Sequence, residues 1–287
     1  MYHSAIAAPG VKFRRGDNVE WGFSGLRKSM IAEVYLPGCN LKCEFCVAPY
    51  LIRLGEIRGI RWVEAVDLMR GVTGSIDVLG FSGGEPSIHV DYITDVFSRC
   101  RERGIHTILE SNGYMTKSTA EKLSKYTDYI GFGIKASLDP EFYKRKLGIM
   151  ETEPIREAAK VFVENGCEVM LTNLTDPNLW NDTESFEALT KWMVRDLGPS
   201  TRLVLSLIER VEVPPPWTDE RIYVTPREQR EAYVQQYQKS AKEAGLSHVF
   251  AQTNSRKRYA DQQEHLEKIG VYRTLDRLGM NHSDQNW

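Results

Sequence analysis

Six short apolar and β-branched runs recur along the chain: MIAEVYL (30–36), IDVLGF (76–81), HTILES (106–111), YIGFGI (129–134), EVMLTN (168–173) and RLVLSLI (202–208). Amphipathic stretches of helical period separate or follow them, near 62–73, 90–103, 117–126, 154–165, 184–197 and 226–244. Strand followed by helix at every step is the pattern of a parallel sheet with crossover helices. A seventh strand, HVFAQ (248–252), follows Gly245, which closes the last helix. The runs are apolar at nearly every position, as strands covered on both faces are. The expected fold is therefore α/β, a partial parallel (β/α)6-type TIM-like barrel; an open doubly wound sheet would give the same pattern. A lead-in over 1–29, a barrel over 30–252 and a charged C-terminal extension over 253–287 make up the expected organisation.

Three cysteines follow directly on the first run: PGCNLKCEFC places Cys39, Cys43 and Cys46 at spacing C-x3-C-x2-C with no local fourth ligand. The whole chain has five Cys, an odd number, so a secreted disulfide framework is a poor reading and a metal-binding loop in a reducing compartment a better one. A structural zinc site needs a fourth donor, and the candidates His3 and His89 are distant in sequence. Three thiolates can instead hold three irons of a cubane and leave the fourth without a protein ligand, a place for chemistry. Zinc and three merely buried thiols stand as the plainer alternatives. Cys100, late in a helix, and Cys167, opening a strand, are expected to be inert buried thiols.

CNLKCEFC resembles the C-x3-C-x-aromatic-C loop of the radical S-adenosylmethionine (radical SAM) superfamily, in its look closest to the activating enzymes of glycyl radical enzymes. The resemblance implies one 4Fe-4S cluster on Cys39, Cys43 and Cys46, with S-adenosylmethionine bound at the unique iron. One electron from the cluster then cleaves a carbon-sulfur bond and releases a 5'-deoxyadenosyl radical that abstracts hydrogen from a substrate. In a parallel barrel the working groups lie at the C-terminal strand ends, so the other runs should carry matching elements there. Ser82-Gly83-Gly84-Glu85-Pro86 is similar to the family's G-G-E-P motif, whose backbone and Glu hold the methionine amino group. Its two glycines allow close backbone approach. Ser111-Asn112-Gly113-Tyr114 resembles the family's T-N-G stretch near the ribose and carboxylate. Lys135 in GFGIKAS is similar to the Lys of the activases' D-x-K element, which approaches the carboxylate; Gly133 stands where the Asp would be. On the fifth run Asn173 is the candidate for cofactor hydrogen bonds, while Asn181 or Asp182 is expected to cap the next helix. Phe45 is carried over as packing beside the adenine. Glu209 occupies a position where activase-like relatives tend to carry His.

The function implied is reductive cleavage of S-adenosylmethionine with hydrogen abstraction from a protein or peptide. A small-molecule substrate is the alternative, and a non-catalytic metal or electron-transfer protein the more remote one. The absence of an added domain fits the activase branch better than a cobalamin-using methyltransferase, and the cluster implies a reductant such as flavodoxin or ferredoxin. No stretch approaches the ~18 apolar residues of a membrane span, and MYHSAIAAPG resembles neither a signal nor a transit peptide, so a cytoplasmic location is expected. A net charge of -2 gives no broad attraction to nucleic acid; Lys144-Arg145-Lys146 and Arg256-Lys257-Arg258 are expected to be solvated helix faces, with contact to an acidic partner the alternative. Arg53, Arg58 and Arg61, which follow the cysteine loop, are expected to be solvated.

Overall fold

The computed structural model describes residues 3–6, 11–15, 23, 26, 29–46, 51–52, 61–74, 76–176, 180–207 and 227–251. Glu209, Arg53, Arg58 and the extension over 253–287 lie outside the described residues. In chain order the strands are β1 (His3–Ile6), β2 (Val11–Arg15), β3 (Met30–Leu36), β4 (Arg61–Glu64), β5 (Val78–Gly83), β6 (His106–Ser111), β7 (Tyr129–Lys135), β8 (Glu168–Thr175), β9 (Arg202–Leu207) and β10 (Val249–Ala251). The helices are α1 (Ala65–Val72), α2 (Val90–Arg101), α3 (Lys117–Ser124), the single turn α4 (Pro140–Phe142), α5 (Glu153–Glu164), α6 (Thr183–Trp192) and α7 (Arg227–Glu243).

Eight strands form one sheet in the order β10-β9-β8-β7-β6-β5-β3-β2. From β3 to β10 every pairing in it is parallel; β2 joins β3 antiparallel at the other edge. The order runs straight along the chain with no reversal, whereas a doubly wound sheet reverses at a switch point. The two faces differ accordingly. On one, Val34, Phe81, Leu109, Phe132, Leu171 and Leu203 pack in the large core shared with the helices. The opposite face carries a smaller cluster of Phe23, Leu26, Ile31, Val78, Ile108, Met170 and Val204, to which none of α1 to α7 contributes. Helices on one face and side chains on the other make this a partial parallel barrel with flanking helices.

The helices form where their apolar spacing covers the sheet. Buried Ala65, Leu68, Met69 and Val72 on α1, and Ile155, Ala158, Ala159 and Phe162 on α5, recur at three and four residues, one stripe per helix. Thr116 starts α3 by accepting from the Thr119 amide at 3.2 Å. Cys100 and Cys167 are buried, the first against Met69 with sulfurs 3.7 Å apart, the second donating to the Thr127 carbonyl at 2.9 Å.

Three expectations change. The helix expected over 62–73 begins only at Ala65, because Arg61–Glu64 pair antiparallel with His3–Ile6 in a separate two-stranded sheet. The second run ends at Gly83 and not at residue 81, since pairing with β3 continues to Leu36 opposite Gly83. Within the lead-in, Val11–Arg15 adds an edge strand to the main sheet. In each case a partner distant in sequence sets the limit, which local composition does not carry.

Phe81 is fully buried between Tyr92 and Phe97, with ring centroids 5.9 and 5.4 Å away. Phe81→Ala is expected to lower stability by about 3–5 kcal/mol, measured by urea denaturation at unchanged slope.

Candidate active site

The C-terminal ends of β3, β5, β6 and β7 assemble around the cysteine loop. Gly38, at positive φ of 88°, turns the chain out of β3, and its carbonyl accepts from the Glu85 amide at 2.7 Å. The Gly84 amide donates to the Leu36 carbonyl at 2.9 Å, and His89 Nε2 meets the Pro37 carbonyl at 2.8 Å. The Ser82-Pro86 turn therefore lies directly against the backbone that carries the cysteines. Both glycines are required there. A Cβ on Gly83, whose φ is +120°, would lie 2.3 Å from the Leu36 oxygen, and one on Gly84 would lie 1.9 Å from the Gly38 oxygen. The close approach read from the sequence is thus, first of all, an approach of this turn to the cysteine loop.

Glu85 is fully buried. Its Oε1 accepts from the Ser87 amide at 2.9 Å and the Ser111 hydroxyl at 2.7 Å, and its Oε2 from the Asn112 amide at 2.7 Å. These bonds join the β5 turn to the β6 turn, so the carboxylate is turned into the protein. What the β5 turn offers the barrel mouth is the half-buried backbone of Gly83 and Gly84. Asn112 also donates through Nδ2 to Asn40 Oδ1 at 2.8 Å, while Asn40 donates to the Tyr114 carbonyl at 2.6 Å. Two turns are thereby sewn to the loop between Cys39 and Cys43.

Burial pushes the Cys39 thiol up to about 11 and the Cys43 thiol up to about 12, with the Lys135 cation opposing both rises. Partly buried thiols of this kind ionise when a metal takes the thiolate. Among the described residues no three His, Cys, Asp or Glu side chains converge on a point that could hold a single ion. A cubane makes a different demand, one thiolate per iron, and three half-exposed cysteines on one loop, with the half-buried β5 turn against its backbone, fit it.

Lys135 ends β7 and is half-buried, its Nζ donating back to the Gly133 carbonyl. A Cβ on Gly133 would come within 2.9 Å of that Nζ, so the missing Asp side chain is the room into which Lys135 folds. Asn173 is fully buried, and both ends of its amide engage Ser137: Oδ1 accepts from the Ser137 amide and Nδ2 donates to the hydroxyl, each at 2.9 Å. It supports the rim from behind. Phe45 is 2% exposed and packs on Phe142, with centroids 5.9 Å apart, which puts its ring in the core behind the loop. Asn181 accepts from Thr183 and takes part in starting α6, whereas the side chain of Asp182, at the N-cap position, makes no cap bond.

Strand alternation adds interior residues that the motifs did not reveal. On the face of Ile31, Val78 and Ile108 come next Glu33, Gly80 and Glu110, then Tyr35 and Ser82. Tyr35 donates to Glu33 at 3.0 Å and Ser82 to Glu110 at 3.1 Å. Gly131 and Gly133 continue this face on β7, Thr172 on β8 and Ser206 on β9. Above an apolar floor the wall is polar and partly without side chains. An acid inside an otherwise apolar strand run was the available signal.

Against known protein families, residues 34–190 match the radical SAM superfamily, more than half of the 287-residue chain. The chain belongs to the radical SAM superfamily. Among curated relatives, the (2S)-3-sulfopropanediol dehydratase activating enzyme of Klebsiella oxytoca is 29% identical over 121 residues, 42% of this chain and 38% of that protein. The pyruvate formate-lyase-activating enzyme of Listeria monocytogenes is 28% identical over 170 residues, 56% of this chain and 68% of its own length. Of solved structures, SuiB from Streptococcus suis bound to S-adenosylmethionine aligns with a TM-score of 0.58 at 19% identity, over 79% of this chain and 50% of that one. The chain thus spans half or less of the length of some proteins it matches. Across this radical SAM chain, no helix among the described residues is long and apolar enough to cross a membrane.

Gly84 packs against the Gly38 carbonyl with no room for a Cβ between them. Gly84→Ala is expected to lower the iron and sulfide taken up on anaerobic reconstitution several-fold while leaving the far-UV circular dichroism unchanged.

Proposed function

We propose that this protein is a radical SAM enzyme that cleaves S-adenosylmethionine reductively and abstracts hydrogen from a protein or peptide, in the manner of the activating enzymes it resembles. The observation that carries the reading is the convergence of the β5 and β6 turns on the loop of Cys39, Cys43 and Cys46 through the Gly38, Leu36 and Asn40 contacts, with the Lys135 cation acting on Cys43. When bound, a 4Fe-4S cluster supplies the electron that breaks a carbon-sulfur bond of the sulfonium and yields a 5'-deoxyadenosyl radical. Cys39, Cys43 and Cys46 hold the cluster. The Gly83 and Gly84 backbone, together with Asn112, faces the amino-acid part of the cofactor, and Lys135 meets its carboxylate as a charge-assisted donor. Glu85, Ser111 and Asn173 hold these groups in place and Phe45 backs the loop. The polar wall of Tyr35, Ser82, Glu110, Thr172 and Ser206 lines the space into which the substrate hydrogen is delivered. Similarity to two activating enzymes favours a protein or peptide substrate over a metabolite. A flavodoxin- or ferredoxin-type reductant in the cytoplasm completes the scheme.

Anaerobic reconstitution is expected to give about four irons per chain, an electron paramagnetic resonance signal of the reduced cluster that changes on adding S-adenosylmethionine, and 5'-deoxyadenosine. Replacing any one of the three cysteines with Ala is expected to abolish product formation. Bound zinc with no response to the cofactor would overturn the proposal. Transfer of deuterium into 5'-deoxyadenosine from labelled candidate proteins or metabolites identifies the substrate.

A further inference from the structure

Immediately after Lys135 the chain takes a conformation that L-residues avoid. Ala136, Ser137 and Leu138 are consecutive, non-glycine and left-handed, with φ of 38°, 54° and 58°, and all three are buried. Such strain persists only where the surroundings over-determine it. Here Asn173 clamps both the amide and the hydroxyl of Ser137, and that hydroxyl in turn donates to Asp182 Oδ2 at 2.6 Å. On the other side of the bend, the Lys135 amide donates to the Tyr143 hydroxyl at 3.0 Å.

Asp182 is fully buried, and its partners are four hydroxyls from three parts of the fold. Besides Ser137, Thr175 at the end of β8 donates to Oδ2 at 3.0 Å. On α7, the Tyr233 and Tyr237 hydroxyls, 2.6 Å apart, both reach Oδ1. The two rings pack with centroids 4.3 Å apart and planes tilted by 32°, and Tyr237 also packs on Phe186 of α6 at 4.1 Å. A carboxylate at a helix N-cap ordinarily bonds the helix amides; this one makes no cap bond and faces the strained turn instead. A structural cap would not need this arrangement, and a polar group this deep is costly unless satisfied.

We infer that Asp182 is a positioning residue for Lys135: by holding the Ser137 turn it fixes where Lys135 leaves β7, and through Tyr233 and Tyr237 it links the seating of α7 to cofactor binding. The inference rests on the reading that Lys135 meets the carboxylate of S-adenosylmethionine.

The test compares the full-length wild type, Asp182→Asn, Tyr237→Phe, Lys135→Met and the double variant Asp182→Asn with Lys135→Met, reconstituted to equal iron content. Cofactor affinity is read from the change in the reduced-cluster resonance, and the order of the turn from amide exchange of a peptide spanning residues 132–139 without cofactor. Lys135→Met is expected to weaken cofactor binding about tenfold, the loss of one charge-assisted hydrogen bond. Asp182→Asn and Tyr237→Phe are expected to speed exchange across 132–139 and to weaken binding several-fold, and Asp182→Asn to add little once Lys135 is gone. If Lys135→Met binds normally, the reading of Lys135 is wrong and the inference falls with it. If Lys135→Met binds weakly but Asp182→Asn binds normally, or weakens binding equally with and without Lys135, the inference alone is overturned. Should Asp182→Asn not fold, Tyr237→Phe decides alone: faster exchange with weaker binding supports the link, and unchanged binding refutes it.

Discussion

At the mouth of the barrel two turns lie in close backbone contact: the one that leaves β3 and the one that leaves β5. Gly84 lies so near the Gly38 carbonyl that a single carbon would occupy the same space, and amides from the second turn satisfy carbonyls of the first. The cysteine loop is thus held in part by its neighbour, since the Gly38 and Leu36 carbonyls find their donors on the second turn. Parallel pairing of Leu36 with Gly83 brings the two turns to the same height, so the cysteine loop depends on sheet register as much as on its own residues.

From that contact the site extends sideways. Glu85 fastens the β5 turn to the β6 turn, and Asn112 fastens the β6 turn back to Asn40. Three successive strand ends become one rigid rim, which is the kind of support that a group needing close orientation requires. The fourth strand end is held differently. Lys135 is followed by a left-handed bend that no local preference would produce, and the bend survives because Asn173 and Asp182 hold it from behind. Buried polar groups, Glu85 and Ser111 among them, hold the turns from within, while the half-buried Gly83, Gly84 and Lys135 lie at the mouth.

Much of this was legible in the sequence. Alternating strand and helix patterns gave the class of fold, since the period of apolar residues reflects which faces are covered. The cysteine spacing and the Gly-Gly-Glu-Pro and Ser-Asn-Gly turns were legible because each is short and local. Other features were not. Trp62 and Val63 lie in a strand because β1 pairs with them, and periodicity cannot report a partner some sixty residues away. Glu85 resembles a cofactor ligand by its motif, and the structure shows in addition that its carboxylate is buried and accepts from three protein donors. Asp182 looked like a helix cap by its position, yet its hydrogen bonds go to a turn and to a helix distant in sequence.

The sequence by itself determined the βα repetition, the trio of cysteines and the places where glycine is indispensable, because these depend on covalent order and backbone freedom. Only the tertiary structure decided which face of each strand looks inward, that Glu33 and Glu110 share that face, and which polar side chains are buried among protein partners. The reason is physical: a buried hydrogen bond is worth having only where its partner arrives, and the partners here come from strands and helices that meet only after the sheet has formed.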